Sequence, residues 1–239
     1  MGDIDPRTIE RRDVIRLRDA NAETVRFANY CVQIMKILME FAIDIGWLKN
    51  TQPNPAKGVS ELKSKGKPRQ PWPADMIAAY RETATDRALL VFELLLGTGQ
   101  RIGDVLEMKW SDIEGDEIRV VQNKTGKELW IPLTPRLRAL LGQTQRRSVF
   151  ILTNLNATGP WSYRGASQAV RKVRETIGAE EYDIHTLRHT AASELFEAGC
   201  DDDLVKAITG HESTASVIRY GAAARQRTRA REAQKRRKD

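Results

Sequence analysis

Cysteine is scarce in this chain. Only Cys31 and Cys200 occur in 239 residues, too few for a disulfide framework and suited to a reducing cytosol. Long apolar runs are missing too. The longest near the start, around Ile34 to Ile45, is broken by Lys36, Glu40 and Asp44, so it is too short and too polar to span a bilayer, and no secretory segment is visible. Metal ligands are also few. His185 and His189 are four apart and would share one face of a helix, yet Cys200 is the only cysteine near them. The residue after the first histidine is Thr186 rather than the glutamate of a helical zinc-protease motif, which leaves a zinc hydrolase as the weakest reading. No internal repeat is present. What remains is an ordinary soluble composition, 41% hydrophobic and 30% charged, long enough for one large or two small domains with real cores.

The net charge is +7, and its placement says more than its size. From Gly221 to Asp239 eight basic side chains face only Glu232 and Asp239, so this tail holds nearly all of the excess. Such a density of cations is a phosphate-binding footprint or a solvated end. Between Lys57 and Pro71, Lys63, Lys65, Lys67 and Arg69 recur at every second position in a Pro/Gly/Ser/Lys-rich stretch that reads as an extended linker.

Periodicity predicts a mainly helical chain with one small antiparallel β-hairpin. A long amphipathic helix is expected from Ala22 to Ile45, stopped by Gly46 and the Pro53-Asn54-Pro55 pair. Helices are expected from Pro73 to Thr83 and from Asp86 to Leu96, the second apolar nearly all round and therefore internal. It ends at Gly97-Thr98-Gly99, a turn that lets the chain come close to another backbone or a ligand. Period-two patterning over Glu117–Gln122 and Glu128–Leu133, around Asn123–Lys127, predicts the hairpin. A short helix follows at Pro135–Leu141, then a buried strand or extended connector at Val149–Leu152. The helix Ser162–Ile177 carries Arg164, Arg171, Lys172 and Arg174 on its polar side, where they can face phosphates. Further helices are expected over Thr186–Ala198, Asp201–Ile208 and onward from Ser213.

The densest chemistry lies between Asp183 and Tyr220. His185, Arg188, His189, His211 and Tyr220 fall within one small helical segment. Arginine binds phosphate bidentately, histidine donates hydrogen bonds or moves protons near neutral pH, and a tyrosine oxygen can attack phosphorus. Together they suffice for phosphoryl transfer without a metal.

The spacing His185-x-x-Arg188-His189-Thr190, then Gly210-His211, then Tyr220 nine residues on, resembles the second half of the tyrosine recombinase (phage integrase) signature. The first half resembles residues 94–113, LLLGTGQRIGDVLEMKWSDI, with Arg101 at the family's phosphate-gripping arginine and Asp104 at its supporting acid. In the family the hairpin carries a lysine that protonates the leaving 5′ oxygen. NKTGKELWIPL puts Lys124 there, with Lys127 as competitor. Residues 41–59 resemble the end of the small helical core-binding domain that precedes the catalytic domain. The family's earlier helices read as missing or shortened, so the resemblance implies a truncated chain. One departure is Thr209, where the residue before Gly-His is usually apolar.

The resemblance implies a partial core-binding domain at 1–57, a basic linker at 58–72 that follows the DNA backbone, a catalytic domain at 73–220 and a basic tail at 221–239. It also implies a site-specific recombinase that joins Tyr220 to a 3′ phosphate and frees a 5′ hydroxyl, with no cofactor. Arg101 and Arg188 would hold the non-bridging oxygens, and His185 would orient an oxygen or accept the tyrosine proton. His211 would donate to the phosphate, Lys124 would protonate the leaving group, and Asp104 and His189 would support the site. The implied partners are double-stranded DNA, a tetramer of protomers on paired sites and an accessory bending or directionality factor. The implied setting is the cytoplasm of a prokaryotic cell, on a phage or mobile element. Two alternatives share the scaffold. A type IB topoisomerase is disfavoured by His185, where that class usually carries lysine, and a silent DNA-binding module predicts a broken site that is not seen.

Overall fold

A computed structural model of the chain describes residues 5–49, 53–63, 70–212 and 226–237, divided into two compact units between Pro68 and Arg69. The first is organised by α1 (Arg11–Ala20) and α2 (Val25–Asp44). Asp13 closes the start of α1 by accepting the Glu10 N–H at 2.9 Å. Val14, Val32 and Ala56 form one small apolar cluster, and Met39, Ala42 and Leu48 form another. The returning chain is pinned to both helices. The Asn54 amide donates to the Lys36 carbonyl and to Glu40 Oε2, both at 2.8 Å. Asn29 and the Leu62 backbone exchange two bonds, and Arg18 Nη1 donates to the Ser60 carbonyl at 2.7 Å. Residues 57–62 are therefore laid against α1 and α2.

The second unit is wrapped around α4. Its elements are α3 (Ala74–Thr83), α4 (Asp86–Thr98), α5 (Ile102–Leu106), β1 (Ile113–Glu114), β2 (Glu117–Val121), β3 (Glu128–Pro132), α6 (Pro135–Gln143), α7 (Tyr163–Thr176), α8 (Leu187–Glu197) and α9 (Asp202–Thr209), with residues 226–236 also helical. Leu90, Val91, Phe92, Leu94, Leu95 and Leu96 are all buried, because α4 meets α6, α7 and α8 on different sides. Glu93 is buried among them and is answered by a bidentate ion pair from Arg81 on α3, at 2.6 and 3.1 Å.

The helix runs past Gly97 to Thr98, farther than its composition predicts. Gly97 is a packing glycine: a Cβ there would stand 3.1 Å from Leu137 Cδ2 on α6. The stop is Gly99, in the left-handed region at φ 63, whose N–H donates to the Leu95 carbonyl.

The predicted hairpin is β2 and β3, paired antiparallel with Ile118 opposite Ile131 and Val120 opposite Leu129. These four side chains are buried while Glu117, Arg119, Val121, Glu128 and Trp130 alternate outward. β1 adds a third strand at the edge, two residues long and so without readable periodicity. Residues 149–152 form no ladder. They are an extended connector held by single bridges, Lys109 to Phe150 and Thr153 to Pro160.

Trp72 locks the segment before α3 onto the start of α8. Its ring meets Tyr80 and Phe92 edge-on at 5.6 and 5.3 Å. Its backbone N–H donates to Thr190 Oγ1 at 2.9 Å and its indole N–H to the Asp183 carbonyl at 3.1 Å. Truncating so buried an aromatic costs about 3–5 kcal/mol. We expect Trp72→Ala to lower unfolding stability by that amount in urea titrations read by circular dichroism. Leu155→Ala, at a side chain 73% exposed, should change it by less than about 0.5 kcal/mol; equal effects would contradict the anchoring role.

Candidate active site

The end of α4 presents the first arginine. Gly99 turns the chain, Gln100 is buried and Arg101 caps α5. Arg101 Nη1 stands 3.9 Å from Asp104 Oδ2. Both atoms are buried, and neither has a hydrogen-bond partner among the described residues. Asp104 uses its other oxygen to accept the Asn123 N–H at 2.9 Å, and the Asn123 amide donates to Glu107 Oε2 at 3.0 Å. One buried carboxylate thus joins the arginine turn to the hairpin turn. The guanidinium keeps unused donors, as a site for an oxyanion requires.

Arg188 reaches the same turn from α8. It is 7% exposed, and its Nη1 donates to the Gly99 carbonyl at 2.9 Å. A buried amide pair fixes the surroundings. Gln100 Nε2 donates to the carbonyls of Thr98 and Ile208, at 3.0 and 2.8 Å. Gln122 Nε2 donates to Gln100 Oε1 at 2.6 Å and to the Thr209 carbonyl at 2.9 Å. Thr125 Oγ1 donates to Gln122 Oε1 at 2.9 Å. The network links the arginine turn, the hairpin turn and the end of α9. Gly210 completes it, at φ 71 and so close that a Cβ would meet Gln122 Nε2 at 2.5 Å.

His211 follows directly and is 8% exposed. Its Nδ1 lies 2.7 Å from Thr209 Oγ1. Burial pushes its pKa down to about 4, with Arg188, Arg101 and His189 acting in the same direction. His211 is therefore neutral at pH 7.

His185 stands on a 3₁₀ turn, Ile184–Thr186, ahead of α8 rather than on it. It is exposed, while His189 is half-buried. The shared helical face expected of the two is therefore not formed. His185 Nε2 is 3.1 Å from the Tyr163 hydroxyl, and the rings stack with centroids 5.9 Å apart. Lys124 and Lys127 are both exposed on the hairpin turn. Arg164, Arg171 and Lys172 are exposed along one groove of α7 that Tyr163 and Gln168 also line, although Arg171 pairs with Glu175 at 2.7 Å. Arg174, expected on the same polar face, instead closes the helix end by donating to the Ala179 and Glu180 carbonyls. Lys63 is exposed on the first unit. Lys65, Lys67, Arg69, Tyr220 and the helix expected from Ser213 lie outside the described residues.

Gln100, Gln122 and Tyr163 were not singled out by sequence, and only Thr209 left a signal, as a polar residue in a position usually apolar. Chemically, two guanidiniums and a neutral imidazole around one turn suit a phosphate whose charge grows in the transition state.

The depressed His211 pKa has a sign that can be checked. Between the folded value near 4 and the ordinary 6.5, the unfolded chain binds the extra proton, so stability falls as pH drops through that window. The loss totals about 3 kcal/mol once pH is below both values. Urea midpoints of the native chain should therefore fall more between pH 7 and 4.5 than those of His211→Gln. Parallel losses would contradict a buried neutral imidazole.

Known proteins resemble this chain in sequence and in fold. The model of the phage integrase family matches residues 74–227. The integrase of Escherichia phage HK022 is 33% identical over 144 residues, 55% of this chain and 40% of that one. The tyrosine recombinase XerC of Staphylococcus haemolyticus is 29% identical over 170 residues, 65% of this chain and 57% of that one. The chain thus spans about half the length of these relatives. Among solved structures, a lambda integrase dimer bound to a COC′ core site superposes with TM-score 0.78 at 24% identity, covering 90% of this chain and 80% of that one. The Tn1549 transposon integrase in complex with transposon right end DNA gives 0.80 at 14% identity, covering 97% and 88%. The structural likenesses establish the fold. With the family match across α3 to α9 and beyond, they place the chain in the phage integrase family.

Proposed function

We propose that this chain is a site-specific DNA recombinase that breaks and rejoins strands through a 3′-phosphotyrosyl intermediate. The observation that carries the reading is the convergence of Arg101, Arg188 and His211 near the Gly99 turn, with Arg188 bonded to the Gly99 carbonyl, His211 against Thr209 Oγ1 and Arg101 beside Asp104. A scissile phosphodiester seated there would have its non-bridging oxygens held by the two guanidiniums. Tyr220 attacks phosphorus, the bond to the 5′ oxygen breaks, and a lysine of the hairpin turn, Lys124 rather than Lys127 by family position, supplies the proton. The energy of the phosphodiester is retained in the tyrosyl ester, so a second 5′ hydroxyl reverses the step without ATP.

Asp104 supports the site by coupling Arg101 to the hairpin turn, and His189 supports it from its half-buried position next to Arg188 on α8. The exposed cations of α7, with Lys63, Lys65, Lys67 and Arg69, bind flanking backbone phosphates. The division into a partial core-binding domain at 1–57, a linker at 58–72, a catalytic domain at 73–220 and a tail at 221–239 belongs to this reading. So do a prokaryotic, DNA-associated setting, an accessory bending or directionality factor, and assembly as a tetramer on paired sites. In support of the last, a lambda integrase tetramer bound to a Holliday junction superposes at TM-score 0.78 and 22% identity. Nothing in the site or the comparisons favours a topoisomerase.

The test is covalent trapping on end-labelled nicked duplexes in EDTA. The native chain should yield a 3′-linked protein adduct and Tyr220→Phe none, with DNA binding retained. Arg101→Ala and Arg188→Ala should each slow adduct formation by about 10²- to 10³-fold. An adduct surviving in Tyr220→Phe would overturn the reading.

A further inference from the structure

The hydrogens of the buried amide network run one way, and Thr125 stands at its outer end. Gln122 Nε2 has two hydrogens and spends both on oxygens, Gln100 Oε1 at 2.6 Å and the Thr209 carbonyl at 2.9 Å. A flipped amide would set Oε1 against both of those acceptors, so the orientation is fixed. Gln122 Oε1 then needs a donor, and the one that meets it among the described residues is the Thr125 hydroxyl, at 2.9 Å. Because Gln122 is fully buried, that acceptor has no solvent to replace the bond.

Lys124 is exposed, yet both of its neighbours are held. On one side the Asn123 N–H donates to Asp104 Oδ1 at 2.9 Å, which refers the turn to Arg101. On the other the Thr125 hydroxyl refers it to Gln122, and so to the arginine turn and the end of α9. The Thr125 and Gly126 N–H groups also donate to the Gln122 carbonyl, at 3.3 and 2.8 Å. We propose that Thr125 is a positioning residue for Lys124: its bond to the buried Gln122 amide docks the hairpin turn, so the lysine is delivered to the leaving oxygen from a backbone already fixed to the arginines. The inference rests on the recombinase reading with Lys124 as its general acid, and adds a residue to it.

In the step concerned, the bond from phosphorus to O5′ breaks and its electron pair leaves on O5′. One N–H bond of the Lys124 ammonium breaks and that proton passes to O5′, leaving a neutral amine. The amine takes the proton back from the 5′ hydroxyl that attacks when the strand is rejoined. A backbone tied on both sides leaves only the lysine's four-carbon stem to move. Precision matters here, because a displacement of about 1 Å at a reacting group costs on the order of 10²-fold in rate. Thr125 acts on the lysine only through the turn.

The test uses the whole chain on two nicked duplexes, one ordinary and one with sulfur in place of the bridging O5′. A thiol ionises at about 8.5 and bulk water at about 15.7, so the sulfur leaves as a thiolate without needing the lysine's proton. Thr125→Val keeps the side chain's shape and removes the donor. It should slow single-turnover cleavage of the oxygen substrate by about 10- to 100-fold at unchanged DNA affinity, and cleave the sulfur substrate at the native rate. Thr125→Ser should restore the oxygen rate, and Lys124→Ala should show the same split with a larger factor. Without DNA, the Asn123 and Gly126 amides of Thr125→Val should exchange hydrogen about 10-fold faster than in the native chain. Equal slowing on both substrates, native rates on both, or unchanged exchange would overturn the proposal, as would a Lys124→Ala chain slowed alike on oxygen and sulfur. If Thr125→Val does not fold, the native turn decides: protected amides support docking, and amides exchanging as fast as those of an unstructured peptide contradict it. If the native chain forms no adduct, the recombinase reading fails and the lysine's role with it, while the exchange rates still show whether Thr125 docks the turn.

Discussion

The bond from the Arg188 guanidinium to the Gly99 carbonyl is the contact on which the site depends. Gly99 ends α4, the most enclosed helix of the second unit, where the last carbonyls of a helix lack partners within it. A permanently charged group 7% exposed is costly to bury unless acceptors meet it. The carbonyl meets part of that need and fixes the guanidinium against the core. Arg101 stands two residues beyond the same turn, so both cations are referred to one rigid point.

The buried Gln100–Gln122 pair extends that rigidity to elements far apart in the chain. Each amide is fully buried, and each spends at least one donor on a carbonyl of a distant segment. Removing one would leave the other unsatisfied in a low-dielectric interior, which makes the network all-or-none. Its consequence is functional. The hairpin turn carrying Lys124 and the α9 terminus carrying His211 are joined to the arginine turn through hydrogen bonds rather than loose apolar contact. Asp104 adds a second tie through Asn123. Thr209 belongs to the same construction, with its carbonyl in the network and its hydroxyl on the histidine.

Local pattern carried much of this fold. The all-round apolarity of Ala88–Leu96 marked α4 as internal, and alternation around Asn123–Lys127 marked the hairpin. The motif spacing singled out Arg101, Arg188 and His211, which the fold brings around one turn. What escaped was non-local. Gln100 and Ile208 are 108 residues apart and Gln122 and Thr209 are 87 apart, so no window joins them, and a glutamine beside an arginine looks like surface. Glu93 lies inside that apolar run, and its partner Arg81 comes from a different helix. Two-residue β1 has too few positions to show a period, and Arg174 looked like a phosphate ligand because its carbonyl partners follow a turn. Tyr163 comes to His185 only through the packing of α7 against its neighbours.

The central claim is that the core presents both arginines to one phosphodiester before DNA arrives. A structure of the chain on a nicked duplex, with Tyr220→Phe to stop the reaction, tests it most directly. The account predicts Arg101 and Arg188 on the non-bridging oxygens of the same phosphate, with the Arg188 bond to Gly99 and the two glutamine amides unchanged. Arginines on different phosphates, or a glutamine network rebuilt on binding, would contradict it.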